Sequence, residues 1–142
     1  MTISKSNVSP LIIERIETRL GMLYFLEHIA IIEFNEGIHV DFKSFGETIE
    51  DIKSFYGNTK PFGLIANRVN SYSIELIDSS LVKSNLINMV AYGVVSHNEA
   101  GRMNAEIENS FCTTHNISFD NLYEALDAIS HRVNKSEVEL IN

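Results

Sequence analysis

The sequence has few of the residues that mark several large classes of protein. It has one cysteine, Cys112, so it cannot form an internal disulfide, and it has no tryptophan, two prolines and seven glycines. These low counts exclude disulfide-stapled scaffolds and fibrous or proline-rich disordered chains. Hydrophobic residues make up 44% of the 142 positions and charged residues 21%, which is typical of a globular domain that folds unaided.

Positive charge is also scarce. The chain has 11 Lys and Arg against 19 Asp and Glu, a formal net charge of -8. A field of that sign repels phosphate backbones and anionic lipid surfaces, so we expect neither a nucleic-acid partner nor a membrane partner. No apolar run approaches the roughly 20 residues that a membrane-spanning helix needs, and no basic segment followed by an apolar one opens the sequence. We therefore expect a cytoplasmic protein.

Composition predicts one domain with two short ends. Residues 1–10 contain three serines and end in a proline, which predicts a flexible lead-in. Residues 11–134 carry the apolar periodicity of a single α/β domain. Residues 135–142 are predicted to form a frayed tail.

The domain opens with a segment rich in β-branched and aromatic residues. This composition over residues 11–37 predicts two long antiparallel strands that meet at Glu27–His28, with Gly21 as a bulge. Apolar residues then recur at every third or fourth position, which predicts a helix capped by Asp41 and ended by Gly57. The residues of this stripe are Phe42, Phe45, Ile49, Ile52 and Tyr56.

Two short apolar runs follow. They predict buried strands at residues 62–66 and 89–95, the second of them apolar on both faces and therefore central in a sheet. Between them lie a polar loop, residues 67–73, and a short helix that begins after Asp78.

The last third predicts two more helices. Ser96 and Glu99 have the spacing of a capping box, and Asp120 precedes a final helix that reaches Val133. An edge strand is predicted within residues 113–119. The first of these helices has an apolar stripe of Ala100, Met103, Ile107 and Phe111. Strands that alternate with helices after an antiparallel hairpin predict an α/β fold with a mixed sheet.

Three segments resemble a known family: residues 35–37 at the end of the hairpin, residues 60–73 and residues 91–96. Over about residues 11–133 the chain resembles the SpoIIAA-like branch of the STAS-like proteins, which are related to bacterial anti-sigma-factor antagonists. The resemblance implies a STAS-like α/β fold with an N-terminal antiparallel hairpin. It also implies a non-enzymatic regulatory function through protein binding.

The resemblance implies a phosphorylation site as well. In the antagonists, a serine in an Asp-Ser-Ser-Gly motif at the start of a helix is phosphorylated by a kinase that is also the anti-sigma factor. The segment Asp78-Ser79-Ser80-Leu81 is similar, with leucine in place of glycine. Ser79 and Ser80 are therefore candidates, and the alternative is that this segment only caps a helix.

The polar loop is the second candidate site. It leaves the carboxyl end of a predicted parallel strand, where α/β sheets usually bind ligands. Arg68 could bind a carboxylate or a phosphate while its neighbours donate neutral hydrogen bonds. The alternative is that these side chains satisfy loop backbone groups and that Arg68 pairs with an acid. The candidate binding surface comprises Asn67, Arg68, Asn70, Ser71, Tyr72, Ser73 and Asp78.

No catalytic residues, metal ligands or cofactors are predicted. Cys112 and His115 are three residues apart, and on a strand such residues point to opposite faces. The five histidines lack a metal-ligand spacing. Glu33, Glu36 and Asp41 are interpreted as a solvated rim around the end of the hairpin.

A carrier is the alternative function. A cavity in the domain could bind a small apolar ligand, and Arg68 an anionic one, although the same rings could simply fill the core. The rings concerned are Phe25, Phe34, Phe42, Phe45, Phe62 and Tyr92. A sheet edge or the last helix could also form a homodimer.

Overall fold

The structure, a computed structural model, describes residues 2–104 and 118–141, without the side chains of Ser79 and of residues 137–141. It is an α/β protein, as predicted. The strands are β1 (Glu14–Glu17), β2 (Gly21–Phe25), β3 (Ile29–Phe34), β4 (His39–Val40), β5 (Phe62–Arg68), β6 (Ser73–Ile74), β7 (Met89–Ser96) and β8 (Ser118–Phe119). The helices are α1 (Gly46–Tyr56), α2 (Ser79–Asn85), α3, described over residues 99–104, and α4 (Leu122–Ile141).

The main sheet is mixed, which confirms the predicted class. Its six strands lie in the order β1-β2-β3-β5-β7-β8, and β4 pairs with β6 in a separate two-stranded sheet. The first three strands are antiparallel because short turns join them, whereas β3, β5, β7 and β8 are parallel. The carboxyl ends of β3, β5 and β7 therefore meet at one edge of the sheet.

The opening hairpin differs from its prediction. The segment predicted as two long strands forms three, because the chain turns at Thr18 and again at Glu27–His28, the predicted tip. Gly21 is the first residue of β2 and not a bulge. Its φ is +152°, and a Cβ there would collide with the carbonyl oxygen of Glu33 on β3, so the close approach of these strands requires glycine.

The first helix ends where it was predicted to end but begins later, so that Phe42 lies before it and Phe45 is its N-cap residue. Gly57 ends α1 in the left-handed region, with a φ of +72°. Asp41 does not cap α1, which begins five residues later at Gly46. Instead its Oδ1 accepts a hydrogen bond from the Ser44 amide at 2.7 Å, in the turn before the helix.

The predicted capping box at the start of α3 is wrong. Ser96 is still paired with Arg68 in the sheet, so it cannot cap a helix. Asn98 does so, because its Oδ1 accepts a hydrogen bond from the Gly101 amide at 2.7 Å. Met103 of the predicted apolar stripe is exposed. The other predictions for this part of the chain, Ile107, Phe111, Cys112, His115 and a strand at 113–117, lie outside the described residues.

The final helix begins and ends later than predicted. Asn121 caps it, with its Oδ1 accepting from the Glu124 amide at 2.9 Å, while Asp120 pairs with Arg102. Helical backbone continues to Ile141 through the segment predicted to fray.

The two faces of the sheet have different cores. The α1 face is aromatic, with Phe25 stacked on Phe55 and Tyr56 stacked on Phe62 at centroid distances of 4.3 and 4.7 Å. The α4 face is mainly aliphatic. The rings proposed as a cavity lining are thus part of the packed aromatic core, with Phe42 and Tyr92 partly buried against it.

The N-terminal residues also differ from the predicted free lead-in. Residues 2–8, here called the strap, pack on the aliphatic face of the sheet. The Ile3 side chain is fully buried there, and Val8 is nearly so. Local composition did not predict this, because the contact partners are distant in sequence.

Candidate functional site

Polar side chains are buried where the parallel strands end. Glu33 on β3, Asn67 and Arg68 on β5 and Ser96 on β7 are each less than a tenth exposed. The register pairs Arg68 with Ser96 and places Asn67 beside Val95. Ligands of α/β proteins usually bind at this edge of the sheet. A group of buried polar residues there makes it the first candidate site.

Glu33, Asn67 and His97 form a hydrogen-bonded chain, here called the carboxyl-end network. The Glu33 Oε2 atom accepts from the backbone N–H of Ile3 at 2.8 Å and from Asn67 Nδ2 at 2.7 Å. Asn67 Oδ1 lies 2.7 Å from His97 Nε2. The network therefore joins the strap to the ends of three strands.

The network fixes the tautomer of His97. Because the amide nitrogen of Asn67 donates to Glu33, the amide oxygen faces His97 and can only accept, so His97 Nε2 carries a proton. Partial burial of the ring and, next, the positive charge of the amino terminus lower the pKa of His97 from 6.5. The ring is consequently neutral at pH 7, and its lone pair lies on Nδ1.

Arg68 does not lie on an exposed loop as predicted. It is the last residue of β5 and is buried, with its Nη2 donating to the Tyr72 carbonyl oxygen at 2.7 Å. Its guanidinium also stacks 3.9 Å from the centre of the Tyr72 ring. Arg68 thus stabilises the chain that leaves the strand, and Asn67 and Tyr72 are buried beside it rather than presented to a ligand.

Ser96 is a buried hydroxyl residue at this edge of the sheet. It is fully buried, and its hydroxyl has no hydrogen-bond partner among the residues that the structure describes. A Cβ placed on Gly101 would lie 3.7 Å from that hydroxyl, so α3 covers it closely.

The rest of the predicted binding surface lies beyond the strands. We define the β6–α2 surface as residues 71–81. Asn70 donates to the Phe34 carbonyl oxygen at 3.0 Å, and the Ser71 amide donates to Glu36 at 2.8 Å, so both predicted residues join this segment to the end of β3.

A hydroxyl, an imidazole and a carboxylate meet on the β6–α2 surface. Ser73 Oγ lies 2.7 Å from His39 Nδ1, and Glu75 lies 3.9 Å from His39 Nε2. All three side chains are open to water, so nothing in their surroundings strengthens the electrostatic interactions as a closed active site would. This exposed group gives no support to hydrolytic chemistry.

The predicted phosphorylation segment starts α2. Asp78 has no side-chain capping bond; it accepts from the Phe42 amide at 2.8 Å and thereby attaches α2 to the segment before α1. Ser80 is exposed, while the Ser79 side chain lies outside the description. Ile77 and Leu81 flank these serines and are 78% and 45% exposed. The β6–α2 surface therefore combines apolar side chains with an accessible hydroxyl.

The described residues hold neither a metal-ligand cluster nor a membrane-spanning helix. Within residues 2–104 and 118–141, no three His, Cys, Asp or Glu side chains are placed to hold a metal ion. No helix in this part of the chain is long and apolar enough to cross a membrane. A shallow pocket of about 360 Å³ lies at the opposite end of the sheet, lined by Asn58, Thr59, Pro61, Ile87, Asn88, Val90 and Ser136.

Sequence reasoning missed Glu33 and His97. Glu33 was interpreted as a rim residue, yet it is buried. A signal was present in the sequence, because Glu33 is the one charged residue in the otherwise apolar run of residues 29–34. His97 had no such signal, since its partner Asn67 is 30 residues away. Comparisons with protein-family models, with curated proteins and with solved structures found no match to this chain.

Proposed function

We propose that this chain is a non-enzymatic, STAS-like regulatory module that binds a protein partner through the β6–α2 surface. The family resemblance of residues 35–37, 60–73 and 91–96 supports the proposal, as does the order of the sheet, with antiparallel strands first and parallel strands after them. The observation that carries it is the exposure of Ile77 and Leu81 on either side of Ser80.

Hydrogen bonds within the chain restrain the β6–α2 surface in the absence of a partner. Asp78 attaches one end of it to the Phe42 amide, and Arg68 holds the Tyr72 carbonyl oxygen near the other end. Exposed apolar side chains on such a restrained segment lose little conformational freedom on binding. Protein interfaces commonly have this form, with an apolar centre and a polar rim.

Charge indicates the chemistry of the partner. Glu75 belongs to the β6–α2 surface, Glu36 and Asp41 lie beside it, and the whole chain has a net charge of -8. A partner with an apolar contact surrounded by lysine or arginine would be attracted over a longer range than a neutral one. We therefore propose a partner with a basic rim.

Phosphorylation would act as the switch. A phosphate on Ser79 or Ser80 would add a charge of about -1.5 to -2 within the apolar contact. Ser80 is open to a kinase, and its neighbours Ile77 and Leu81 would then be next to a strongly hydrated group. The unmodified form is thus the one that binds.

The test begins with affinity capture from cytosol, followed by affinity measurements with the purified partner. Ile77→Ser/Leu81→Ser should weaken binding at least about tenfold, as expected for central interface residues. Ser80→Asp should weaken it as well, whereas Ser80→Ala should not. The matched control is Leu11→Ser/Ile13→Ser, which changes two residues that are 59% and 61% exposed elsewhere on the chain. Equal loss in the control, or full binding by Ile77→Ser/Leu81→Ser, would contradict the proposal.

A further inference from the structure

We propose that two copies of this chain pair along their β1 strands, so that their main sheets join into one. The interface is the outer edge of β1, which is the first strand of the main sheet and, within the described residues, pairs with β2 alone. It includes no residue of the β6–α2 surface, so this inference does not depend on the proposed function. Addition of a strand to an exposed sheet edge is a common mode of protein recognition.

The register of β1 shows which backbone groups face away from the sheet. Thr18 and Gly21 exchange both of their backbone hydrogen bonds, and such pairs alternate along an antiparallel ladder. Ile16, two residues before Thr18, is therefore also bonded to β2. The N–H and C=O groups of Arg15 and Glu17 point outward, and no described residue bonds to them.

The charges of this edge select one register for a second copy. Two antiparallel β1 strands can bond through the outward groups with Arg15, Ile16 or Glu17 on the two-fold axis. With Arg15 or Glu17 on the axis, like charges lie directly opposite each other, which destabilises the pair of strands. With Ile16 on the axis, Arg15 of each copy lies opposite Glu17 of the other, and the two Ile16 side chains meet at the centre.

The side chains of β1 are available for this pairing. Arg15 and Glu17 are exposed, and Ile16 is half-buried. Within the described residues, neither Arg15 nor Glu17 takes part in an ion pair. The Arg15 guanidinium lies 6.0 Å from the centre of the Tyr24 ring, a cation–π contact that restricts where it points. A second copy would thus supply each of these charges with a partner.

The same charges exclude other partners. Charged residues on an edge strand usually prevent a sheet from pairing with foreign strands. A net charge of -8 on each chain also makes two copies repel each other over a long range. A strand offsets both effects when its charges run in the complementary order, and an antiparallel copy of β1 has that order. The partner for this edge is therefore a second copy of the chain.

Exchange of the two charges tests the register. Sedimentation equilibrium up to about 1 mM should show that the wild type dimerises. Arg15→Glu and Glu17→Arg each place like charges opposite each other, so each variant alone should dimerise at least about tenfold more weakly. An equimolar mixture of the two variants should recover dimers, as should Arg15→Glu/Glu17→Arg, because opposite charges then face each other again. Glu50→Arg reverses an exposed charge on α1 and is the matched control, which should dimerise like the wild type.

Hydrogen exchange of the wild type tests the backbone pairing without any substitution. The Arg15 and Glu17 amides should exchange more slowly in concentrated than in dilute solution, whereas the Ile16 amide, which bonds to β2, should not change. This measurement decides the question even if a variant fails to fold. A wild type that stays monomeric up to about 1 mM would overturn the proposal. Dimers that survive either single charge reversal, or unchanged exchange of Arg15 and Glu17 in the dimer, would overturn it as well.

Discussion

Two regions at the carboxyl end of the sheet depart in opposite directions from the usual distribution of residues. In the carboxyl-end network, the polar side chains of Glu33 and Asn67 are buried, and the chain supplies their partners. On the β6–α2 surface, apolar side chains are exposed, and none of the described residues covers them. Buried polar groups and exposed apolar patches are the informative exceptions in a folded protein. The comparison indicates that the first region stabilises the fold, whereas the second leaves apolar side chains available for the partner proposed above.

The largest expected effect is that of Glu33→Ala. It leaves the Ile3 N–H and Asn67 Nδ2 without their acceptor in a buried place. Two unsatisfied donors should lower the free energy of unfolding by about 2–4 kcal/mol, measured by urea denaturation. The control is Glu50→Ala, a surface residue of α1, which should cost less than about 0.5 kcal/mol. Similar losses in the two variants would remove the distinction between the regions.

Arg68→Ala should have the next largest effect. It removes both the stacking on Tyr72 and the bond to its carbonyl oxygen, at a buried site. We expect a loss of about 2 kcal/mol together with faster hydrogen exchange over residues 69–73.

Arg68→Lys is the matched variant for this position. It keeps the charge but cannot reproduce the planar stacking, so its loss should be smaller but measurable. If Arg68→Ala left both stability and exchange unchanged, Arg68 would not be the residue that restrains the β6–α2 surface.

These buried polar residues mark the limit of what the sequence could predict. The α1 stripe and the apolar runs of β5 and β7 depend on local periodicity, so their positions followed directly from it. Asn67 and Arg68 were assigned to a loop because polar residues usually leave strands. They are satisfied within β5 because Asn67 bonds to Glu33, 34 residues away, and Arg68 bonds to the Tyr72 carbonyl oxygen, four residues on.

The residues predicted for the candidate surface fall into two groups in the structure. Ser71, Ser73 and Ser80 are exposed as a docking surface requires, whereas Asn67, Arg68 and Tyr72 are buried. No local pattern separates these two groups, because both are polar or aromatic residues within one short segment. Contacts of the folded chain decide between them: Asn67 bonds to Glu33 on the neighbouring strand, and Arg68 stacks on Tyr72.

A smaller effect should appear in the pH dependence of stability. The pKa of His97 is lower in the folded protein than the ordinary value of 6.5, so below that pH the unfolded chain binds more protons than the folded one. Stability should therefore fall as the pH falls through about 6.5. The free energy lost by His97→Gln should shrink over this range and stay constant above it. A difference between the two proteins that does not vary with pH would contradict this account.

The smallest expected effect on stability belongs to Ile77→Ser/Leu81→Ser. Both side chains are exposed, so each change should alter the free energy of unfolding by less than about 0.5 kcal/mol. The matched change at a buried position, Ile52→Ser on α1, should lower the free energy of unfolding by about 2–5 kcal/mol, because it leaves a cavity in the core. Thermal and urea unfolding measure both. If the Ile77 and Leu81 changes proved as costly as Ile52→Ser, these residues would be needed for folding, and their exposure would no longer argue for a partner. If the Ile77 and Leu81 changes leave stability unaltered but weaken binding, these apolar side chains serve recognition and not folding.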